Sequence, residues 1–113
     1  MRYVDPNQPS SKIQFKSQYE NFIGGKWVPP VNGEYFDNIS PVDGKVFTKI
    51  PRSSATDIEL ALDAAHTAKA SWNSASPTTR SNLLLKIADR LEQNLELLAV
   101  AETWDNGKPV RET

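Results

Sequence analysis

Ser53-Ser54-Ala55-Thr56-Asp57-Ile58-Glu59-Leu60-Ala61-Leu62-Asp63-Ala64-Ala65 is the stretch where the chain changes its period. Upstream of it, apolar residues alternate with polar ones, as in Val46 to Ile50. Downstream they recur at helical spacing, with Ile58, Ala61, Leu62, Ala65, Ala68 and Trp72 on one face. Thr56 and Glu59 stand three apart, the spacing of a capping box, in which a hydroxyl and a carboxylate satisfy each other's backbone N–H. The junction therefore predicts strands before it and a helix after it.

Toward the C-terminus two more helices follow. Ser76-Pro77 supplies an N-cap and a first-turn proline. Leu84, Ile87, Ala88 and Leu91 form the inner stripe of the second helix, which Leu83 and Leu85 widen. Asn94 both ends that helix and opens the third, whose face is Leu97, Leu98, Ala101 and Trp104. Gly107 and Pro109 stop it. Toward the N-terminus, Gly24-Gly25 predicts a tight turn between two short strands, Asn32-Gly33 and Val42 to Lys45 predict further turns, and Tyr35 to Ile39 is extended. Pro29, Pro30, Pro41 and Pro51 sit at strand ends, where a missing N–H costs least. The expected architecture is a small antiparallel β-sheet followed by three α-helices. Residues 1–18, interrupted by Pro6 and Pro9, read as a flexible N-terminal arm.

Composition narrows the function. The 113 residues carry 13 basic and 14 acidic side chains, well mixed, so no basic stripe exists to neutralise nucleic-acid phosphates. No apolar run has the length of a membrane span, and residues 1–11 lack the apolar core of a secretory signal. The chain has no cysteine, hence no disulfide framework, no Cys-based zinc site and no thiol nucleophile. The wide apolar arcs of the second and third helices exceed what one meagre sheet can cover, which reads as a piece of something larger or a member of an assembly.

Several segments resemble the aldehyde dehydrogenase superfamily. Phe22-Ile23-Gly24-Gly25-Lys26-Trp27 is similar to its first hairpin. Asn38-Ile39-Ser40-Pro41-Val42-Asp43-Gly44 resembles its N-P-x-x-G strand end, with Ser40 where Asn is usual. Asp57 to Trp72 resembles its first helix, and Arg80 to Leu91 its R-x-x-x-L-x-x-x-A-D-x-L helix. Glu102-Thr103-Trp104-Asp105-Asn106-Gly107-Lys108-Pro109 resembles its E-T-x-D-x-G-K-P segment. Each pattern alone is weak; their order and spacing over residues 20–113 carry the resemblance. The Trp104 to Glu112 version is most similar to bacterial enzymes acting on acetaldehyde and other short aliphatic aldehydes.

The resemblance implies an α/β parent enzyme that oxidises an aldehyde with NAD or NADP. In such an enzyme a cysteine forms a thiohemiacetal, hydride leaves to the nicotinamide, and a glutamate activates water against the thioester. It also implies a cytoplasmic homodimer or homotetramer. Residues 19–113 would be the N-terminal part of the coenzyme-binding domain. The catalytic and nucleotide-contacting groups match no position here, so none is assigned. For Asp105 and the main-chain carbonyl of Ile39 the resemblance implies a structural Na+ or K+; the plain reading is that Asp105 and Asn106 finish a helix.

Other features have plain readings too. Gly107-Lys108 lacks the preceding glycine-rich half of a phosphate loop, and Gly24-Gly25 lacks the strand–GxGxxG–helix context. His66 has no second His or any Cys to share a metal with. Asp57, Glu59 and Asp63 read as a solvated first turn, and Trp27, Trp72 and Trp104 as core anchors. Arg80 falls in a helix's first turn, where a cation is disfavoured, so a carboxylate from another segment is expected to compensate. Competing readings are an independent binding module sharing these elements and a helix-turn-helix nucleic-acid binder; the charge balance disfavours the second.

Overall fold

The computed structural model describes residues 3–113 and places seven main elements in order. They are β1 (Asn21–Ile23), β2 (Lys26–Val28), β3 (Tyr35–Ile39), β4 (Val46–Pro51), α1 (Ala55–Ser74), α2 (Pro77–Gln93) and α3 (Leu95–Asn106), followed by a 3-10 turn at Val110–Glu112. The strands and helices stand where the two periodicities place them. The expected sheet is divided into two hairpins, β1 with β2 and β3 with β4. Among the described residues, no helix is long and apolar enough to cross a membrane.

The chain forms two compact units. One comprises Glu20–Phe36 and Pro51–Arg90. Here β1 and β2 pair antiparallel, with Ile23 opposite Lys26, so Gly24 and Gly25 alone make the turn. Both have positive φ, 62° and 79°, as a hairpin turn matched to strand twist requires. α1 is capped by Ser54 rather than Thr56. The Asp57 carboxylate reaches back to accept the Ser54 N–H at 2.8 Å, performing the role expected of Glu59. Serine is the stronger cap, and the shorter Asp57 also accepts the Val31 N–H at 2.9 Å, so the earlier start satisfies two backbone donors with one side chain. α2 opens as expected, with the Thr79 N–H on Ser76 Oγ at 3.1 Å.

The other unit comprises the chain up to Tyr19 together with Asp37–Ile50 and Leu91–Thr113. Met1 and Arg2, the tip of the expected arm, lie outside the described residues. Residues 16–19 run parallel beside β4: Tyr19 N–H donates to the Lys49 carbonyl and Lys49 N–H to that of Ser17, each at 3.0 Å. Thr48 Oγ1 donates to the Lys16 carbonyl, and the Phe15 and Phe47 rings meet edge-on at 4.8 Å. Val100 of α3 is the buried hydrophobic of the chain among the described residues. Trp27 and Trp72, expected as core anchors, are instead 63% and 41% exposed. A two-stranded hairpin and a lone helix face offer too few neighbours to enclose an indole. Trp27 leans on the Phe22 ring at 5.0 Å instead.

Candidate functional site

The polar groups singled out at the end of β3 and the end of α3 converge. α3 stops at Gly107, whose φ of 79° reverses the chain while its N–H donates to the Thr103 carbonyl at 2.8 Å. The next amide, Lys108 N–H, turns to the Asn106 side chain at 2.8 Å. The Trp104 carbonyl thus loses its helical partner. Ser40 Oγ fills the gap, donating to that carbonyl at 2.5 Å and accepting the Val42 N–H at 3.2 Å. Asn38 Nδ2 donates to Asp105 Oδ1 at 2.9 Å. Pro41 lies so near Gly107 that a Cβ there would stand 3.0 Å from its ring.

The Asp105 carboxylate is therefore held at the β3 terminus that carries Ile39, and Ser40 between them is fully buried. Ser40, the residue that departs from the usual pattern, is a hydrogen-bonded hub of this corner. The donors gathered here are carboxylate, amide, hydroxyl and main-chain oxygens, hard ligands that suit an alkali cation. Among the described residues no three His, Cys, Asp or Glu side chains cluster as a metal site. Beside the corner an open apolar cavity of about 590 Å³ is lined by Phe15, Phe47, Ile50, Leu98 and Ala101, with Asn38, Glu102 and Asp105 among its polar residues. It offers apolar contact and two carboxylates but no thiol.

The remaining expectations resolve locally. Gly24-Gly25 is a hairpin turn and Gly107-Lys108 a helix stop, so neither forms a phosphate cradle, and these residues do not fit a dinucleotide site. His66 is exposed on α1. Asp57, read as solvated, is 3% exposed. The N–H bonds from Ser54 and Val31 hold its carboxyl below the ordinary value, against burial, which pushes it up. No signal local to α1 could have found this, because the second donor, Val31, lies 26 positions upstream.

The pattern of the Aldehyde dehydrogenase family matches residues 27–113. The chain belongs to this family. It is 82% identical over its whole length to a long-chain-aldehyde dehydrogenase of Acinetobacter sp, and 60% identical over 113 residues to an acetaldehyde dehydrogenase of Pseudomonas aeruginosa. It spans only 22% of each relative. The crystal structure of an NAD-dependent aldehyde dehydrogenase from Sinorhizobium meliloti superposes with a TM-score of 0.81 at 33% identity, covering 98% of this chain and 22% of that one. These aldehyde dehydrogenases are α/β proteins, of which the two hairpins and three helices form one part.

Proposed function

We propose that residues 19–113 are the N-terminal part of the coenzyme-binding domain of an NAD(P)-dependent aldehyde dehydrogenase, preceded by an arm at residues 1–18. The family match across most of the chain, with 82% identity to a long-chain-aldehyde dehydrogenase, carries this reading. The parent oxidises an aliphatic aldehyde to the carboxylic acid, by cysteine attack and thioester hydrolysis. NAD or NADP, bound by segments other than these, supplies the hydride acceptor. The residues present here bind neither coenzyme nor aldehyde, and the 113-residue chain alone is inactive. The parent is a cytoplasmic homodimer or homotetramer.

Acetaldehyde is the first candidate substrate, given the 60% identical relative of that name, and long alkanals are the second, given the 82% identical one. Assaying the complete protein for NADH and NADPH formation over alkanals from acetaldehyde upward decides between them. Failure to oxidise any alkanal with either coenzyme would refute the reading.

Asp105 and the Ile39 carbonyl hold a structural Na+ or K+ in the parent. The Asn38 bond to one Asp105 oxygen orients the carboxylate at the end of β3, which supports this role. Melting the complete protein in KCl, NaCl or choline chloride at equal ionic strength tests it. An alkali-specific gain in wild type should vanish in Asp105→Ala. Equal melting in all three salts refutes the site.

A further inference from the structure

Residues 7–15 close on themselves before the chain reaches β4. The Asn7 N–H donates to the Ile13 carbonyl at 3.2 Å, and the Asn7 side chain accepts the Phe15 N–H at 2.6 Å. Ser11 Oγ donates to the same Ile13 carbonyl at 2.9 Å, and the Ser11 N–H to that of Gln8 at 3.1 Å. Across from this loop, Glu96, Val100 and Trp104 of α3 recur every four residues and share one stripe. Glu96 takes two groups from the arm: the Tyr3 hydroxyl donates to Oε1 at 3.1 Å, and Lys12 Nζ lies 3.4 Å from Oε2. At the other end of the stripe, Trp104 borders a cavity of about 270 Å³ together with Asp5 to Gln8 and Phe47. Val100, between the two, is 1% exposed.

We propose that residues 3–13 are a reversible clasp along the Glu96–Val100–Trp104 stripe, fastened at Glu96, and that ionic strength opens it. The two ends of the arm are held unequally. Toward β4 the hold is firm: the backbone bonds of Tyr19 and Lys49, the buried Thr48 hydroxyl and the Phe15–Phe47 contact all lie on residues 15–19. Toward α3 the fastening is polar and wet, with the Lys12 and Glu96 side chains 53% and 51% exposed. Ion pairs in that setting are weak and screened by salt. Opening therefore swings the self-closed loop away and leaves the β4 anchor in place. It also frees the α3 stripe. The Trp104 carbonyl is the group that Ser40 caps, and Asp105 follows it, so an open clasp loosens the corner that orients Asp105. The proposal stands on contacts within this chain and does not depend on the aldehyde-oxidation reading.

Hydrogen exchange of peptides spanning residues 96–106 in the complete protein tests it. Tyr3→Phe combined with Lys12→Ala unfastens the clasp from the arm side and leaves Glu96 in the first turn of α3, where the helix dipole favours it. This pair, and deletion of residues 3–13, should each speed exchange by at least about fivefold, the scale of a few exposed contacts acting on local opening. Glu96→Ala separates a clasp from a helix-start role. Its effect should be at least about threefold larger with the arm present than in the deletion, whereas a purely helical role acts equally in both. Raising choline chloride to about 1 M, where the screening length falls to about 3 Å, should speed exchange in wild type and leave the deletion unchanged. If the deletion prevents folding, the Tyr3→Phe, Lys12→Ala protein serves as the unfastened background. A silent Tyr3→Phe, Lys12→Ala pair, equal Glu96→Ala effects in both backgrounds, or a salt response that survives loss of the clasp overturns the proposal.

Discussion

Replacing Ser40 with alanine tests the corner between β3 and α3 most directly. Ser40 is fully buried, and its hydroxyl makes two bonds at once, donating to the Trp104 carbonyl at 2.5 Å and accepting the Val42 N–H at 3.2 Å. The Trp104 carbonyl has no ready substitute, because the Lys108 amide is already turned to Asn106. Alanine removes a single oxygen and leaves almost no cavity, so the cost is that of the lost bonds. A neutral hydrogen bond contributes about 1 kcal/mol and an orphaned partner adds a penalty of similar size, giving about 2 kcal/mol. That equals about a thirtyfold rise in local opening of the last turn of α3. Hydrogen exchange of the amides of residues 103–108 in the complete protein reads this directly, since Gly107 N–H is bonded to the Thr103 carbonyl at 2.8 Å. Ser71→Ala is the control: that hydroxyl is exposed and back-bonds to its own helix at 3.0 Å, so it should change stability by less than about 0.5 kcal/mol. Exchange in Ser40→Ala within about threefold of wild type would falsify the assignment of Ser40 as the cap of α3, since that corresponds to well under 1 kcal/mol.

Asp57→Asn should flatten the acid limb of a denaturation-versus-pH profile. The folded carboxyl is held below its ordinary 3.8, so its contribution is present above that value and is lost as pH falls through the depressed one. An acid limb identical to wild type below about pH 4 would show that the Ser54 and Val31 bonds carry no linkage. Gly107→Ala should destabilise more than Gly25→Ala in thermal melts. Both positions share φ 79°, but only at Gly107 would the added methyl meet Pro41, at 3.0 Å. Equal losses would mean that the Pro41 contact yields freely and that backbone strain, about 1 kcal/mol, is the whole effect.

Element types were legible because their signals are local. A Gly-Gly pair, an Asn-Gly turn, Ser76 before Pro77 and Gly107 after an apolar stripe each state a backbone requirement within a few residues. What could not be read was which of several local options the rest of the chain would select. Thr56 and Glu59 satisfy the capping-box spacing, yet Ser54 and Asp57 took the role because Val31, 26 positions away, needed the same carboxylate. Burial was misjudged for a related reason. Helical periodicity says which side chains share a face, not whether anything covers it, so Trp27 and Trp72 read as anchors although nothing in their unit encloses them.

The site was legible in a different way, through two family-like segments that carry no catalytic group. Asn38 to Gly44 and Glu102 to Pro109 are distant in the chain, yet their side chains answer each other: Asn38 bonds Asp105, Ser40 bonds the Trp104 carbonyl 64 positions on, and Pro41 faces Gly107. Their joint presence follows from geometry, because a glycine that ends α3 in the left-handed region strands a carbonyl, and a buried hydroxyl at the end of β3 relieves it. A serine can perform that task as well as the usual asparagine, since all the carbonyl needs is one donor within reach. The departure at position 40 is therefore a conservative exchange of hydrogen-bond donor, and it leaves the corner that orients Asp105 intact.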